Sequence, residues 1–289
     1  MNYKMTNDQF PMSNEGVIYY LINIAKRYIN LTFVIGHLSL FLALLLCVNA
    51  WAITGEEIIK KVDANMTFKT ARSESKMVIH VDQEVREKTM LSYDKGRNTG
   101  YAEFLSPARD KGVKYLKIED NMWMYLPSVD KIIKISGAML RQSMMGSDFS
   151  YEDALESTKL LEKYTATLVS DEMVPVTFKE GGKLVTKQRL CYVVDLTAKV
   201  KEITYYRRMV WVDKALFVPV KEDLFAMSGK KLKEMTMGDI QRFGSRYYPM
   251  YMTMSNLLRQ NSRTEMFTTK AEFDAPVDPA FFTQAKLTK

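Results

Sequence analysis

His80 sits in the run Val78-Ile79-His80-Val81, and Cys191 in Leu190-Cys191-Tyr192-Val193-Val194. Both runs have the β-branched and aromatic character of strands, so each side chain is expected on the face of a sheet. Ser–His–Asp hydrolysis would have to use His80 as its base. The local motifs that hold nucleophiles, metals or phosphates are missing: Gly-x-Ser-x-Gly, His-Glu-x-x-His, Cys-x-x-Cys, Gly-x-x-x-x-Gly-Lys and Gly-x-Gly-x-x-Gly. Carboxylates gather at Asp148, Glu152 and Asp153. Calcium asks for more oxygen donors in a fixed loop, whereas acidic residues in the first turn of a helix are favoured by its dipole alone. The inventory therefore predicts no catalytic residues, no metal, no cofactor and no enzyme activity. Basic residues are dispersed, as at Arg207-Arg208 and Lys230-Lys231-Lys233. Nucleic-acid binding needs a concentrated stripe with stacking aromatics, so no such partner is expected. The net charge of +7 leaves transient attraction to anionic membrane headgroups.

The distinctive chemistry is soft and apolar. All but Met1, Met5 and Met12 of the 20 methionines fall after residue 52. Three runs are apolar or aromatic on both strand faces: Met122-Trp123-Met124-Tyr125-Leu126, Met209-Val210-Trp211-Val212 and Tyr247-Tyr248-Pro249-Met250-Tyr251-Met252-Thr253-Met254. A half-wet antiparallel sheet alternates cleanly. These runs do not, so either both faces are covered or one faces an apolar cavity. Methionine is flexible and polarizable, and a surface lined with it adapts to acyl chains of varied shape. The segment Met139–Phe149 adds to this. Met139, Leu140, Met144, Met145 and Phe149 lie in a connection flanked by Gly137 and Gly146, and connections normally run over the wet surface. A loop this apolar must tuck into something, as a removable lid over a concave face or as a plain core-covering loop.

These residues need elements to position them. Thr54-Gly55-Glu56-Glu57 reads as a capping box, followed by Ile58, Ile59, Val62 and Met66 at helical spacing. From Lys76 the period changes to short strand-like runs separated by Asp94-Lys95-Gly96, Ser106-Pro107, Glu119-Asp120-Asn121 and Pro127-Ser128. Linkers this short favour an antiparallel meander. Ser150-Tyr151-Glu152-Asp153 reads as a second capping box opening a short helix, Gly181-Gly182 as a hairpin turn, and Asp278-Pro279 as a closing helix start. The fold class is mainly β with α, with about eleven strands in one domain over 53–289.

The first 52 residues read as an address. Lys26-Arg27 precede an apolar run from Leu31 to Ala52, and Ala50 and Ala52 supply the small-x-small pattern of a signal-peptidase site. A run of about 20 apolar residues can also span a bilayer as an uncleaved anchor, and acylation of Cys47 is a third fate, disfavoured by Leu46. In each of these the chain after Ala52 is exported.

The blocks Phe104-Leu105-Ser106-Pro107-Ala108-Arg109-Asp110-Lys111-Gly112, Asn121–Val129, Met144-Met145-Gly146-Ser147-Asp148-Phe149-Ser150-Tyr151-Glu152-Asp153 and Tyr206–Asp213, with the closing Phe281-Phe282-Thr283, resemble the outer-membrane lipoprotein-sorting protein family, a LolA-like group of the LolA/LolB-like superfamily. The resemblance covers essentially all of 53–289. It implies an incomplete, half-open antiparallel β-barrel whose concave side is covered by short helices and encloses an apolar cavity. It implies a periplasmic carrier that shields lipid or lipoprotein acyl chains in transit to the outer membrane, partnered by an RND-type inner-membrane transporter. No catalytic residue is carried over. The residues expected to form cavity or lid are Trp123, Tyr125, Met139, Leu140, Met144, Met145, Phe149, Trp211 and Tyr251.

Overall fold

The computed structural model describes residues 18–28, 53–155, 160–201 and 203–289. The chain divides into two units, Met1–Ile53 and Thr54–Lys289. In the first, residues 18–28 form a helix that is almost wholly exposed. Ala50 and Ala52, the residues expected at a signal-peptidase site, and the apolar run before them lie outside the described residues. Among the described residues no helix is long and apolar enough to cross a membrane.

The second unit opens on the capping box. Thr54 Oγ1 accepts from the Glu57 amide at 3.2 Å, and the Glu57 carboxylate accepts from the Thr54 amide at 2.8 Å. Two otherwise orphaned donors are thereby satisfied. Helix α1, Gly55–Met66, buries Ile58, Ile59 and Val62 along the stripe set by their spacing.

Thirteen strands follow in one antiparallel sheet. In chain order they are β1 (Thr70–Val81), β2 (Glu84–Lys95), β3 (Thr99–Ser106), β4 (Lys114–Ile118), β5 (Asn121–Leu126), β6 (Lys131–Ile135), β7 (Tyr164–Glu180), β8 (Lys183–Ala198), β9 (Arg207–Asp213), β10 (Pro219–Phe225), β11 (Lys231–Phe243), β12 (Arg246–Asn256) and β13 (Ser262–Phe273). The count exceeds the about eleven expected from turn spacing. The boundary least visible in the sequence is inside β7, where Ser170–Met173 continues the ladder to β8 through a bulge between Leu168 and Ser170. The β7–β8 turn is the anticipated Gly181-Gly182, with both residues at positive φ, 55° and 82°, as a two-residue hairpin requires.

Strands β1–β6 form one meander and β7–β13 another, joined where β1 pairs with β13. The two edges, β6 and β7, do not pair with each other, so the barrel is half-open. The chain travels from one edge to the other through the one-turn helices Gly137–Arg141 and Met144–Gly146, then α2 (Tyr151–Leu155) and α3 (Leu160–Lys163). A segment joining opposite edges has to cross a face of the sheet, and this explains why so apolar a stretch is a connection. At the other end of the chain, Asp278 caps the amide of Ala280 at 2.9 Å ahead of Pro279. The turn it opens is a single 3-10 turn, Pro279–Phe282, followed by the short α4 (Gln284–Leu287).

Candidate functional site

The segment crossing the sheet is fastened at several places. Ser150 and Asp153 form the second capping box: the Ser150 amide donates to Asp153 Oδ2 at 2.6 Å and the Asp153 amide to Ser150 Oγ at 3.2 Å. Asp153 also accepts from the Tyr205 hydroxyl at 2.6 Å and is ion-paired with the buried Lys233 of β11. Asp148, itself buried, accepts from Ser262 Oγ at 2.6 Å and Thr264 Oγ1 at 2.7 Å, and its amide donates to Thr264 Oγ1 at 2.9 Å. Two of the three carboxylates that resembled a cation cluster, Asp148 and Asp153, are thus spent separately on hydroxyls and on a lysine. Among the described residues no group of three or more His, Cys, Asp or Glu is placed to hold a metal ion.

Between α1, the crossing segment and strands β9–β13 lies a cavity of about 410 Å³. Ile59, Val62 and Met66 of α1 form one wall, Phe149, Ala154 and Leu160 another, and Met235, Met237, Met252, Met254 and Met266 much of the sheet side. Strand register builds this side. Met235 pairs with Met254, Met237 with Met252, and Met252 with Met266, so the sulfur-bearing chains form a ladder across three strands, because directly paired residues share a face. The polar lining is largely self-neutralised. Arg208 NH1 donates to Glu222 at 2.9 Å, and the guanidinium lies over the rings of Tyr164 and Tyr205 at 5.1 and 5.4 Å. Asp63 faces Arg97 at 3.3 Å; burial pushes its carboxyl up against the opposing pull of that guanidinium.

The structure distributes the nine expected residues among five places. Phe149 lines the cavity. Met139, Leu140, Met144 and Met145 pack beside it on the β3–β6 half, against a cluster of Phe104, Val113, Tyr115, Met122, Met124, Ile135 and Tyr151. Met145 adopts a left-handed φ of 53° to make the turn. Trp123 and Tyr125 point to the opposite face, where Tyr101, Leu116, Phe281 and the fully buried Leu287 cover them. Trp211 belongs to a third cluster with Val174, Val176, Cys191, Val193 and Val220, its indole donating to Glu172 at 2.8 Å. Tyr251 pairs its ring with Phe267 and donates to Glu265 at 2.6 Å. In β9 and β12 the cavity takes the alternate parity, Val210, Met252 and Met254. These, the α1 residues, Met235, Met237 and Met266 were not singled out by sequence reasoning; Met at i and i+2 within two neighbouring runs was the signal that could have found them.

His80 Nε2 lies 2.9 Å from Glu265, on the face shared by Tyr251. Cys191 is fully buried, and burial, with Asp213 nearby, pushes its thiol up to about 12, which keeps it a packing group and not a thiolate nucleophile.

A family model described only as an uncharacterised protein matches residues 96–289. No match is found among curated proteins. Solved structures similar to this chain include a protein described as an outer membrane lipoprotein-sorting protein domain from Vibrio parahaemolyticus, at 24% identity and TM-score 0.69, covering 81% of this chain and 98% of that one. A DUF1329 family protein from Desulfovibrio piger aligns at 23% identity and TM-score 0.70, covering 81% and 97%. A LolA superfamily protein from Nitrosomonas europaea aligns at 18% identity and TM-score 0.65, covering 81% and 100%. At these identities the likeness establishes the fold. Each of these chains is matched over nearly its whole length.

Proposed function

We propose that this chain, which belongs to the family whose model matches residues 96–289 and shares the fold of proteins described as an outer membrane lipoprotein-sorting protein domain and a LolA superfamily protein, is a non-enzymatic periplasmic carrier that shields acyl chains of a lipid or lipoprotein on their way to the outer membrane. The observation that carries this reading is the methionine ladder lining a cavity of about 410 Å³. That volume falls within the roughly 300–1,000 Å³ of pockets that enclose small ligands. Each methylene moved from water into such a lining contributes about 0.8 kcal/mol, and the flexible thioethers can repack around chains of different length. The apolar face of the crossing segment, Met139–Met145, lies on the sheet next to the cavity; in this reading it is the gate, and its displacement would extend the space available to cargo. The resemblance supplies the choice of compartment and of an RND-type transporter as partner.

The test is native mass spectrometry of the 53–289 portion purified gently from its own envelope. A carrier retains heterogeneous lipid mass that organic extraction removes. A protein that flies as a single bare mass, and takes up no fluorescent fatty acid afterwards, would instead be an assembly module docking onto an envelope transporter.

A further inference from the structure

Three neighbouring turns at one end of the strands carry apolar side chains that none of the interior clusters described above uses. The β1–β2 and β12–β13 turns touch, with the Asp82 amide donating to the Asn261 carbonyl at 3.0 Å. The Leu257 amide donates to the Leu232 carbonyl at 2.9 Å, which brings in the β10–β11 turn. Val85, on β2 just past its turn, is 58% exposed, and the turn residues Met227, Leu257 and Leu258 are 53%, 50% and 60% exposed, so a large apolar group faces water at or beside every one of these turns. The leucines are held on a formed turn: the Leu258 amide donates to Asn256 Oδ1 and the Arg259 amide to the Asn256 carbonyl, both at 3.0 Å. Around them stand Arg86, Lys230, Arg259 and Arg263, against the acidic Asp82, Glu84 and Glu265, the last 3.4 Å from Arg263. A depression of about 530 Å³ opens beside the leucines, lined by His80, Arg259, Arg263, Ser255 and Ser262 among others.

We propose that this rim is the docking surface for an anionic phospholipid bilayer. Apolar side chains on separate turn tips suit a soft planar interface, into which each can partition. The surrounding excess of arginine and lysine complements anionic headgroups. The guanidinium groups of Arg259 and Arg263 and the Ser255 hydroxyl at the depression match phosphate oxygens by charge-assisted hydrogen bonds. The β12–β13 hairpin also holds Asp148 of the crossing segment, so the bilayer would be met beside the cover. The inference goes beyond the carrier reading by assigning a surface, and it borrows from that reading only the export that brings the chain to a membrane.

The experiment is flotation of the 53–289 portion with vesicles of phosphatidylcholine containing about 30% phosphatidylglycerol, and with phosphatidylcholine alone. The parent protein should float with the anionic vesicles, and weakly or not at all with the neutral ones. Leu257→Ser with Leu258→Ser should weaken flotation about tenfold or more, and Lys230→Ala with Arg263→Ala should weaken it while flattening its salt dependence. Leu184→Ser, beside the β7–β8 turn at the other end of the strands, should leave it unchanged. Fatty-acid uptake from solution should be the same in all variants as in the parent, and a parent protein that takes up none would count against the carrier reading and not against the rim. A parent protein that does not float, leucine variants that float equally well, or equal binding to both vesicle types would overturn the proposal.

Discussion

Asp153, in the helix turn that opens α2 within the crossing segment, and Lys233, on β11, form a buried ion pair at the cavity wall. The carboxylate has two further donors, the Ser150 amide and the Tyr205 hydroxyl, so the pair is embedded in hydrogen bonds and fixes the segment to the sheet. Removing one member leaves the other charged and unpaired in a dry site. Lys233→Met is therefore expected to lower unfolding free energy by about 3–5 kcal/mol, while Lys233→Met combined with Asp153→Leu recovers part of the loss. Urea titration of the two variants checks this. Equal destabilisation by the single and the double change would mean that charge burial is not what the pair balances.

Asp148 plays the same part at the other fastening. Its carboxylate takes both hydroxyls of Ser262 and Thr264, and its replacement by alanine strands those donors. The expected cost is about 1–3 kcal/mol, concentrated in the crossing segment. Amide hydrogen exchange should accelerate over residues 139–153 in Asp148→Ala, with little change in β1 or β13. Uniform acceleration across the sheet would show that Asp148 supports the whole fold and not the cover.

The methionine ladder gives a test of the cavity that spares the cover. Met237 and Met252 are directly paired on neighbouring strands and both line the space. Replacing both with phenylalanine adds volume where a void exists, so stability should hold within about 1 kcal/mol or rise, against the 1–3 kcal/mol loss expected on overpacking a filled core. Fatty-acid affinity should fall at least tenfold in a fluorescence titration. Unchanged affinity in the folded double variant would place the ligand elsewhere.

What the sequence discloses here, and what it hides, follows from the period of a strand. The Thr54–Glu57 and Ser150–Asp153 boxes, the Gly181-Gly182 turn and the meander are local patterns, and each forms as spaced. The runs around Trp123, Trp211 and Tyr251 announce that both faces are covered, yet alternation alone does not say which parity faces the cavity. That is decided by distant partners. Leu287 and Phe281 cover the Trp123 and Tyr125 face, and Phe267 meets Tyr251, so the largest aromatics are drawn to the outer layers and the methionines are left to the hollow. The oddly apolar Met139–Phe149 connection was legible as something tucked in. Its two anchors were not, because Asp148 and Asp153 read locally as helix-start acids while their partners lie on β11 and β13.

Glu265 supplies the pH dependence. Burial raises its carboxyl, but hydrogen bonds from Tyr251 and His80, with the charge of Arg263, outweigh that and hold it below the ordinary value of 4.5. A folded value below the unfolded one gives stability that is complete above the unfolded value and fades as pH falls through the folded one. Tyr251→Phe removes the 2.6 Å donor and brings the two values closer. At neutral pH that variant should be less stable by about 1–2 kcal/mol, and the gap should narrow as urea midpoints are followed from about pH 6 down to about pH 3. The narrowing identifies the carboxylate as the acceptor that matters, since a hydroxyl lost from simple packing would leave the two stability curves parallel at every pH.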